Sequence, residues 1–319
     1  MSKTVTSEER IPTSIMGYSR CDRWTKGERS ARARIDSGVV IPEWKPSFEI
    51  SPDDTIFAVG SCFARNVEKA LIQRKAQVTS VDPNNEVLEI RTNLLTGLLN
   101  KYNPISIHQE LEWASGHTSF PEGNWMEFNG KYYDLTLRDQ ARKGSLEMLH
   151  SRQVQLQNYF QQAFSADVVI LTLGLTETWF DRTTRTALAE VPSPRLLKAF
   201  PERFGCKLLK YSDCEVVLNS IYALLKQYGK ATVKIIVTVS PVPMERTFSG
   251  QDIIVANMMS KSILRSAAGA FAVASEGVDY FPSYEAVILS NPKYAWEPDR
   301  RNVSEAIVAS IMNEFTQRY

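Results

Sequence analysis

Small and polar residues follow several of the apolar runs that predict strands in this chain. Gly60 and Ser61 come directly after the first run, Gly174 after the third and Ser240 after the fourth. Ligands bind beyond the carboxyl ends of the strands in an open α/β sheet, so these residues predict a site at one edge. Ser61 also begins a predicted helix. Its hydroxyl could act as a nucleophile beside helix amides that stabilise an oxyanion, or it could simply cap the helix.

Five short apolar runs predict the strands that would position these residues: 55–59, 77–81, 168–173, 234–239 and 278–281. Segments with the 3.6-residue spacing of amphipathic helices lie between them. This alternation predicts an α/β fold with a parallel sheet that helices cover on both faces. Apolar residues three or four positions apart predict a closing helix over residues 302–319.

Three other segments lie outside this alternation. Residues 1–50 are polar and rich in Arg and Ser, and we interpret them as an arm that packs on the main domain, 51–319, through Trp24 and Trp44. An insertion at 116–140 predicts a β-hairpin, because Asn129-Gly130 separates two alternating runs. A second insertion, 181–205, is polar and proline-containing and predicts a loop. Either insertion could form a lid over the site or decorate the surface.

Charge and composition exclude several classes of function. The 319 residues include 37 Lys+Arg and 36 Asp+Glu, which argues against nucleic acid and against a charged membrane surface as partners. No apolar run is long enough to span a membrane, and the N-terminus lacks the apolar core of a secretory signal. The four Cys have no CxxC spacing, so neither a zinc site nor a disulfide framework is indicated. These features predict a cytoplasmic protein.

A resemblance to a known family rests on several segments in order. Gly60-Ser61-Cys62-Phe63-Ala64 spells the motif that names the GSCFA family, a branch of the SGNH/GDSL hydrolase superfamily. Supporting segments, which together cover roughly residues 50–318, are 102–104, 171–179, 238–243, 260–261 and 280–285. Several distinct motifs in the right order indicate a family more specifically than a single motif does.

The resemblance implies a three-layer, flavodoxin-like α/β fold, the SGNH hydrolase fold, with a central five-stranded parallel sheet. It implies acyl-ester chemistry with Ser61 as the nucleophile and the Ser61 amide, with Asn103 or Thr176, in the oxyanion hole. Gly174 and Glu177 belong to the same candidate binding set, and Thr176 stands where the family pattern has Asn. No metal or redox cofactor is implied, although acyl-CoA is a plausible donor if the reaction is a transfer.

The fifth block of the superfamily is an Asp followed three residues later by a catalytic His, and here the chain departs from the pattern. Asp299 matches the Asp, but Asn302 occupies the position of the His. An Asn cannot accept the serine proton, and loss of a triad base lowers turnover by about four to six powers of ten. Asn302 could be engineered, could mark a naturally silenced enzyme that still binds its ligand, or could cap the last helix in a capping box with Glu305.

Other candidate bases and nucleophiles are weaker. His108, His117 and His150 all lie between the second and third predicted strands, where surface or packing roles are expected. Cys62 could be activated by a helix N-terminus, but we expect it to point away from Ser61 and to pack. Glu177 and Glu285 are alternative bases, for which structural roles are favoured.

These observations predict a serine esterase or O-acyltransferase that acts on small acyl groups of a carbohydrate or polysaccharide precursor, impaired by Asn302. The alternative is a non-catalytic binding module that keeps the cleft for an acylated glycan or a CoA-like ligand. A scaffold for glycan assembly has only the Arg-rich arm in its favour. The sequence does not decide the oligomeric state.

Overall fold

Five parallel strands form the central sheet of the computed structural model, which describes residues 23–28, 30–80, 99–121, 123–138 and 142–319. The sheet strands are β1 (Thr55–Gly60), β2 (Gln77–Val78), β6 (Val168–Leu173), β10 (Lys234–Val239) and β11 (Val278–Tyr280). The short strands are β3 (Trp125–Phe128), β4 (Lys131–Asp134), β5 (Lys143–Gly144), β7 (Glu177–Asp181), β8 (Thr186–Ala187) and β9 (Phe204–Leu208). The helices are α1 (Ala31–Asp36), α2 (Cys62–Gln73), α3 (Pro104–Ala114), α4 (Leu146–Ser165), α5 (Pro194–Ala199), α6 (Tyr211–Tyr228), α7 (Ile253–Ala274), α8 (Ser283–Leu289), α9 (Pro292–Ala295) and α10 (Glu305–Arg318).

The order of the sheet is β2-β1-β6-β10-β11, with every neighbouring pair parallel. Numbered among themselves, the strands run 2-1-3-4-5, which is the order of flavodoxin-like doubly wound sheets. The chain reverses direction across the sheet between β1 and β6, so the ligand crevice of such a fold opens beyond the ends of these two strands. The predicted three-layer α/β class is confirmed.

Alternate residues of each strand enter two separate cores, because successive side chains point to opposite faces of a sheet. Phe57 and Leu171 pack against α3, α4, α6 and α7 on one face. Ala58 and Ile170 pack against α2, α8 and α10 on the other. All six residues of β6 are buried, as expected for a central strand that is covered on both faces. Helices on both faces therefore hold the ends of β1 and β6 in fixed positions.

The sequence predicted the strands closely. The runs 168–173 and 234–239 are β6 and β10 residue for residue, and the first and last strands agree to within one residue. The run 77–81 is paired only over Gln77–Val78, and residue 81 lies outside the described residues. The predicted hairpin is confirmed: Asn129 and Gly130 have φ of 52° and 70°, the positive values that a type I′ turn requires.

Two predictions about local structure are wrong. Residues 181–205 are not a loop, because β8 and the start of β9 pair with β7 in a three-stranded antiparallel sheet, and the helix α5 lies between them in the chain. The last helix begins at Glu305, and its cap is Ser304, whose hydroxyl accepts from the Ile307 amide at 3.2 Å. Asn302 therefore caps no helix.

The described part of the N-terminal arm is anchored at one of the two predicted tryptophans. Trp44 packs edge-on to Phe281 at 5.3 Å and under the Arg318 guanidinium at 4.6 Å. Trp24 is 65% exposed, so its predicted anchoring role is wrong. Residues 1–22 of the arm lie outside the described residues. Of the helices described, none has both the length and the apolar composition that a membrane span needs.

Candidate active site

Ser61 lies in the turn between β1 and α2, at the point where the crevice of the sheet opens. Gly60 makes this turn possible: its φ is 135°, and a Cβ there would lie 2.1 Å from the Thr172 carbonyl oxygen. Ser61 is only 2% exposed. Its hydroxyl accepts from the Phe63 amide at 3.3 Å and lies 3.4 Å from the Thr172 hydroxyl. Ser61 is thus the N-cap of α2 and, at the same time, a hydroxyl at the head of the crevice.

The hydrogen-bond donors available beside Ser61 differ from those expected for an oxyanion hole. The Ser61 amide donates to the Thr172 carbonyl oxygen at 2.9 Å, so it cannot also bind an oxyanion, and this predicted role is wrong. The next amide, that of Cys62, is the first of α2 and has no acceptor within the helix. The Asn103 side chain accepts from the Ser106 amide at 2.8 Å through Oδ1. Its amide nitrogen therefore stays available as a donor.

A cavity of about 510 Å³ adjoins Ser61. Its lining includes four residues that come one or two positions after strands of the central sheet, Ser61, Cys62, Gly174 and Ser240, and also Asn103, the N-cap of α3. Residues 188–194 of the second insertion, residues 242–246 and Phe248 form its walls. The volume lies in the range typical of small-molecule sites.

Of the other predicted binding residues, two line the cavity and one does not. Gly174 approaches so closely that an added Cβ would lie 2.8 Å from the Tyr102 carbonyl oxygen and 3.1 Å from the Ser61 Cβ. Glu177 accepts from the Phe248 amide at 2.9 Å and from the Thr247 hydroxyl, so it holds the loop that carries Phe248. Thr176 is buried away from the cavity, and its amide donates to the Ser260 hydroxyl at 3.0 Å.

Asp299 and Asn302 contact each other rather than Ser61. The Asn302 side-chain nitrogen donates to the Asp299 carboxylate at 2.5 Å, and the backbone amides of Arg301 and Asn302 donate to the same carboxylate at 2.9 Å. These bonds hold the pKa of Asp299 below its usual value. Both side chains are exposed, whereas Arg301, between them, lines the cavity. The loop thus reaches the site through Arg301.

The three histidines lie elsewhere, as expected. His108 pairs with Glu112 at 3.7 Å, the His117 ring nitrogen lies 3.1 Å from the Tyr228 hydroxyl, and His150 packs edge-on to Trp125. None of them lines the cavity. Glu285 accepts from the Tyr280 hydroxyl at 2.9 Å and binds Arg265, so its predicted structural role is confirmed.

Cys62 lines the cavity, so the expectation that it points away from the site is wrong. Burial raises the pKa of its thiol, although the charges of Arg301, Lys261 and Arg138 act in the opposite direction. A thiol with a raised pKa is a poor nucleophile at neutral pH, because the thiolate is the reactive form. The three cations nevertheless show that positive charge surrounds this end of the cavity.

Lys261 is a buried cation directly behind the cavity. Its ammonium donates to the Gly174 carbonyl oxygen at 2.7 Å and to the Ser240 carbonyl oxygen at 2.8 Å, and it thereby joins the ends of β6 and β10. The side chain is fully buried, and burial lowers its pKa to about 7. Lys261 belongs to the family-like segment 260–261, which does not by itself indicate a buried charge. Its position three residues before Leu264 and seven before Ala268 placed it on the buried face of α7, which was a usable signal.

Two further arginines of the cavity could not be predicted, because Arg138 lies at the end of the hairpin insertion and Arg142 just after it. Arg138 donates to the Tyr102 hydroxyl at 2.6 Å and lies over its ring, and it also binds Glu190. Arg142 binds the second oxygen of the same Glu190 carboxylate at 2.7 Å. Both insertions therefore contribute charged residues to the cavity wall.

A comparison with known protein families agrees with these features. The model of the GSCFA family matches residues 55–315, a range that includes the sheet, the Ser61 turn and the Asp299–Asn302 loop. No curated protein matches the chain.

Proposed function

Because the chain belongs to the GSCFA family, we propose that it acts on acyl esters through the Ser61 hydroxyl, as an SGNH-type esterase or O-acyltransferase. The observation that supports this proposal is the position of Ser61. Its hydroxyl lies at the N-terminus of α2, at the head of a cavity of about 510 Å³ and at the reversal point of a doubly wound sheet. Helix amides at this point favour negative charge, which develops on the carbonyl oxygen during acyl transfer.

The proposed reaction has two steps. The Ser61 oxygen attacks the acyl carbonyl carbon, the ester C–O bond breaks, and the alcohol leaves with a proton. The oxygen of water or of a second hydroxyl then attacks the acyl-Ser61 carbonyl carbon, the Ser61–acyl bond breaks, and the attacking group's proton returns to the Ser61 oxygen. The Cys62 amide and the Asn103 side-chain nitrogen are the donors placed to hold the oxyanion. The substrates we propose are small acyl groups on a carbohydrate or polysaccharide precursor, with acyl-CoA as the donor if the reaction is a transfer.

The proton of Ser61 needs an acceptor, and Asn302 does not provide one. The Asn302 nitrogen donates to Asp299 as the Nδ1–H of a histidine would, but an amide has no second ring nitrogen to accept a proton. We therefore propose that this chain turns substrate over slowly. A cytoplasmic location is part of the same proposal, supported by the unpaired thiols of Cys62, Cys206 and Cys214.

A second candidate is a binding module without turnover. The observation that favours it is the environment of the Ser61 hydroxyl, whose hydrogen-bond partners in the described structure are the Phe63 amide and the Thr172 hydroxyl. Neither group is a base. Such a protein would hold an acylated glycan or a CoA-like ligand in the same cavity.

Hydrolysis of a short chromogenic acetyl ester distinguishes the two functions. The Asn302→His variant should show turnover well above that of the unchanged chain, and adding Ser61→Ala should abolish it. Arg300→His is the matched control, because it introduces an imidazole two positions away in the same loop, without the side-chain bond to Asp299 that position 302 makes. If Asn302→His is as inactive as the control, the esterase proposal fails and ligand binding becomes the better account.

A further inference from the structure

Three residues that line the cavity, Trp179, Ser240 and Arg301, each have a buried polar side-chain atom without a hydrogen-bond partner among the described residues. The Ser240 hydroxyl oxygen and the Arg301 Nε are both inaccessible to solvent and make no hydrogen bond to any described residue. Ser240 is only 1% exposed, and both residues line the cavity beside Ser61. A buried donor without a partner costs roughly 1–3 kcal/mol, so native structures keep few of them. Three such atoms in one cavity indicate that a ligand with acceptor atoms completes the site; of these residues, Ser240 directly follows strand β10 and Arg301 directly precedes Asn302.

The charges around these atoms indicate the sign of that ligand. Arg301, Lys261 and Arg138 all act on Cys62 as cations, and no carboxylate acts on it to a comparable degree. The Lys261 side-chain nitrogen lies 2.8 Å from the Ser240 carbonyl oxygen and is positively charged below its pKa of about 7, and the N-terminus of α2 faces the same space. The ligand group next to Ser61 is therefore favoured if it is negatively charged.

The carboxylates of the cavity do not cancel this preference, because four arginines (Arg138, Arg142, Arg246 and Arg301) line it against three glutamates. Glu190 is shared by Arg138 and Arg142, and Glu177 is held by the Phe248 amide and the Thr247 hydroxyl. Glu245 lies 3.2 Å from Arg246 but 3.6 Å from Arg301, which is beyond hydrogen-bond distance. Arg301 thus retains donors for a ligand.

We propose that Ser240 and Arg301 form a subsite for an anionic oxygen group, a carboxylate or a phosphate, on the molecule that binds beside Ser61. The planar guanidinium of Arg301 can donate to two oxygens of such a group, and the Ser240 hydroxyl can donate to a third. In this role neither Ser240 nor Arg301 transfers a proton, so the subsite can bind an anion without any catalytic step. The subsite rests on the proposed function in one respect, which is that the bound molecule is the acyl substrate. The proposal then adds that this substrate is an ester that carries an anionic group.

Titration calorimetry with inorganic phosphate, at constant ionic strength in sodium chloride, tests the subsite without turnover. The unchanged chain should bind phosphate saturably. Arg301→Gln should weaken binding by about 10- to 100-fold, since a hydrogen bond to a charged group is lost. Ser240→Ala should weaken it by about 2- to 10-fold, as expected for a neutral donor. Arg300→Gln removes the same charge at the neighbouring position, outside the cavity, and should change the affinity less than about twofold.

A parallel titration with acetate identifies the group. Acetate binding that depends on Arg301 assigns the subsite to a carboxylate, and phosphate binding that depends on Arg301 assigns it to a phosphate ester. Equal losses in Arg301→Gln and Arg300→Gln would overturn the proposal, as would the absence of saturable binding for both anions. If Arg301→Gln does not fold, Arg301→Lys keeps the charge, loses the paired donors, and should still weaken binding. Binding without any ester turnover would leave the subsite standing while the proposed function fails.

Discussion

The buried ammonium of Lys261 predicts an unusual dependence of stability on pH. Its two acceptors are the carbonyl oxygens of Gly174 and Ser240, at 2.7 and 2.8 Å, and no part of the side chain reaches solvent. Burial lowers its pKa from 10.5 to about 7 in the folded protein. The perturbation we consider is Lys261→Met, which removes the titrating group and fills a similar volume.

The sign of the effect follows from proton binding. Above about pH 7 the folded chain loses the Lys261 proton while the unfolded chain keeps it up to about pH 10.5, so the unfolded state binds more protons in this interval. The free energy of unfolding therefore rises with pH. At 1.36 kcal/mol per pH unit, the rise is roughly 2 kcal/mol from about pH 7 to about pH 9. The total rise approaches roughly 5 kcal/mol at a pH where Lys261 has lost its proton in both the folded and the unfolded state.

Urea unfolding of the unchanged chain and of Lys261→Met at these two pH values measures the effect. Cys206, Cys214 and Tyr280, whose pKa values are also raised, titrate in both proteins and cancel in the difference. The Cys62 thiol interacts with the Lys261 charge, so both the otherwise unchanged chain and the Lys261→Met variant carry Cys62→Ala. The stability gap between the two proteins should shift by roughly 2 kcal/mol in favour of the unchanged chain as the pH rises. Lys293→Met, at an exposed position, is the control and should show no shift. The same change in the free energy of unfolding between the two pH values, in the unchanged chain and in Lys261→Met, would refute the reasoning.

Two other substitutions test the Ser61 turn and the oxyanion donors. Gly60→Ala should lower the free energy of unfolding, measured in urea, by more than about 3 kcal/mol, because the added Cβ would overlap the Thr172 carbonyl. Gly130 also has a positive φ but lies in open space, so Gly130→Ala should lower the free energy of unfolding by only about 1 kcal/mol. Equal losses would contradict the close approach at Gly60. Asn103→Asp keeps the oxygen that caps α3 but loses the side-chain donor, so ester turnover in the Asn302→His background should fall by about 100- to 1000-fold with little change in melting temperature. Unchanged turnover would exclude Asn103 from the oxyanion hole.

The strands and the place of the site were predictable because strong periodic signals determine them. β6 and β10 are continuous apolar runs, and the rule that ligands bind beyond parallel strand ends located Ser61, Gly174 and Ser240 together. Neither inference needed tertiary information.

What the sequence did not predict depends on contacts between distant segments. The Ser61 amide is occupied by the Thr172 carbonyl, 111 residues away in the chain, and no local pattern indicates that bond. Arg138 and Arg142 reach the cavity only because the hairpin folds back towards Glu190. Thr176 matches the family position in sequence, but the strand pairing of β7 turns it towards Ser260 instead.

The Asp299–Asn302 loop links the altered base position to the anion subsite. One carboxylate, that of Asp299, accepts from the Arg301 amide, the Asn302 amide and the Asn302 side chain, and Arg300 takes the positive φ of 56° that the tight loop requires. This network holds the backbone on both sides of Arg301, the residue that lines the cavity. Asn preserves the bond to Asp299 that a histidine would make, so the loop keeps its shape without a base. Asp299 and Asn302 therefore have a structural task that does not require proton transfer, which is to hold Arg301 at the cavity where we propose the anion subsite.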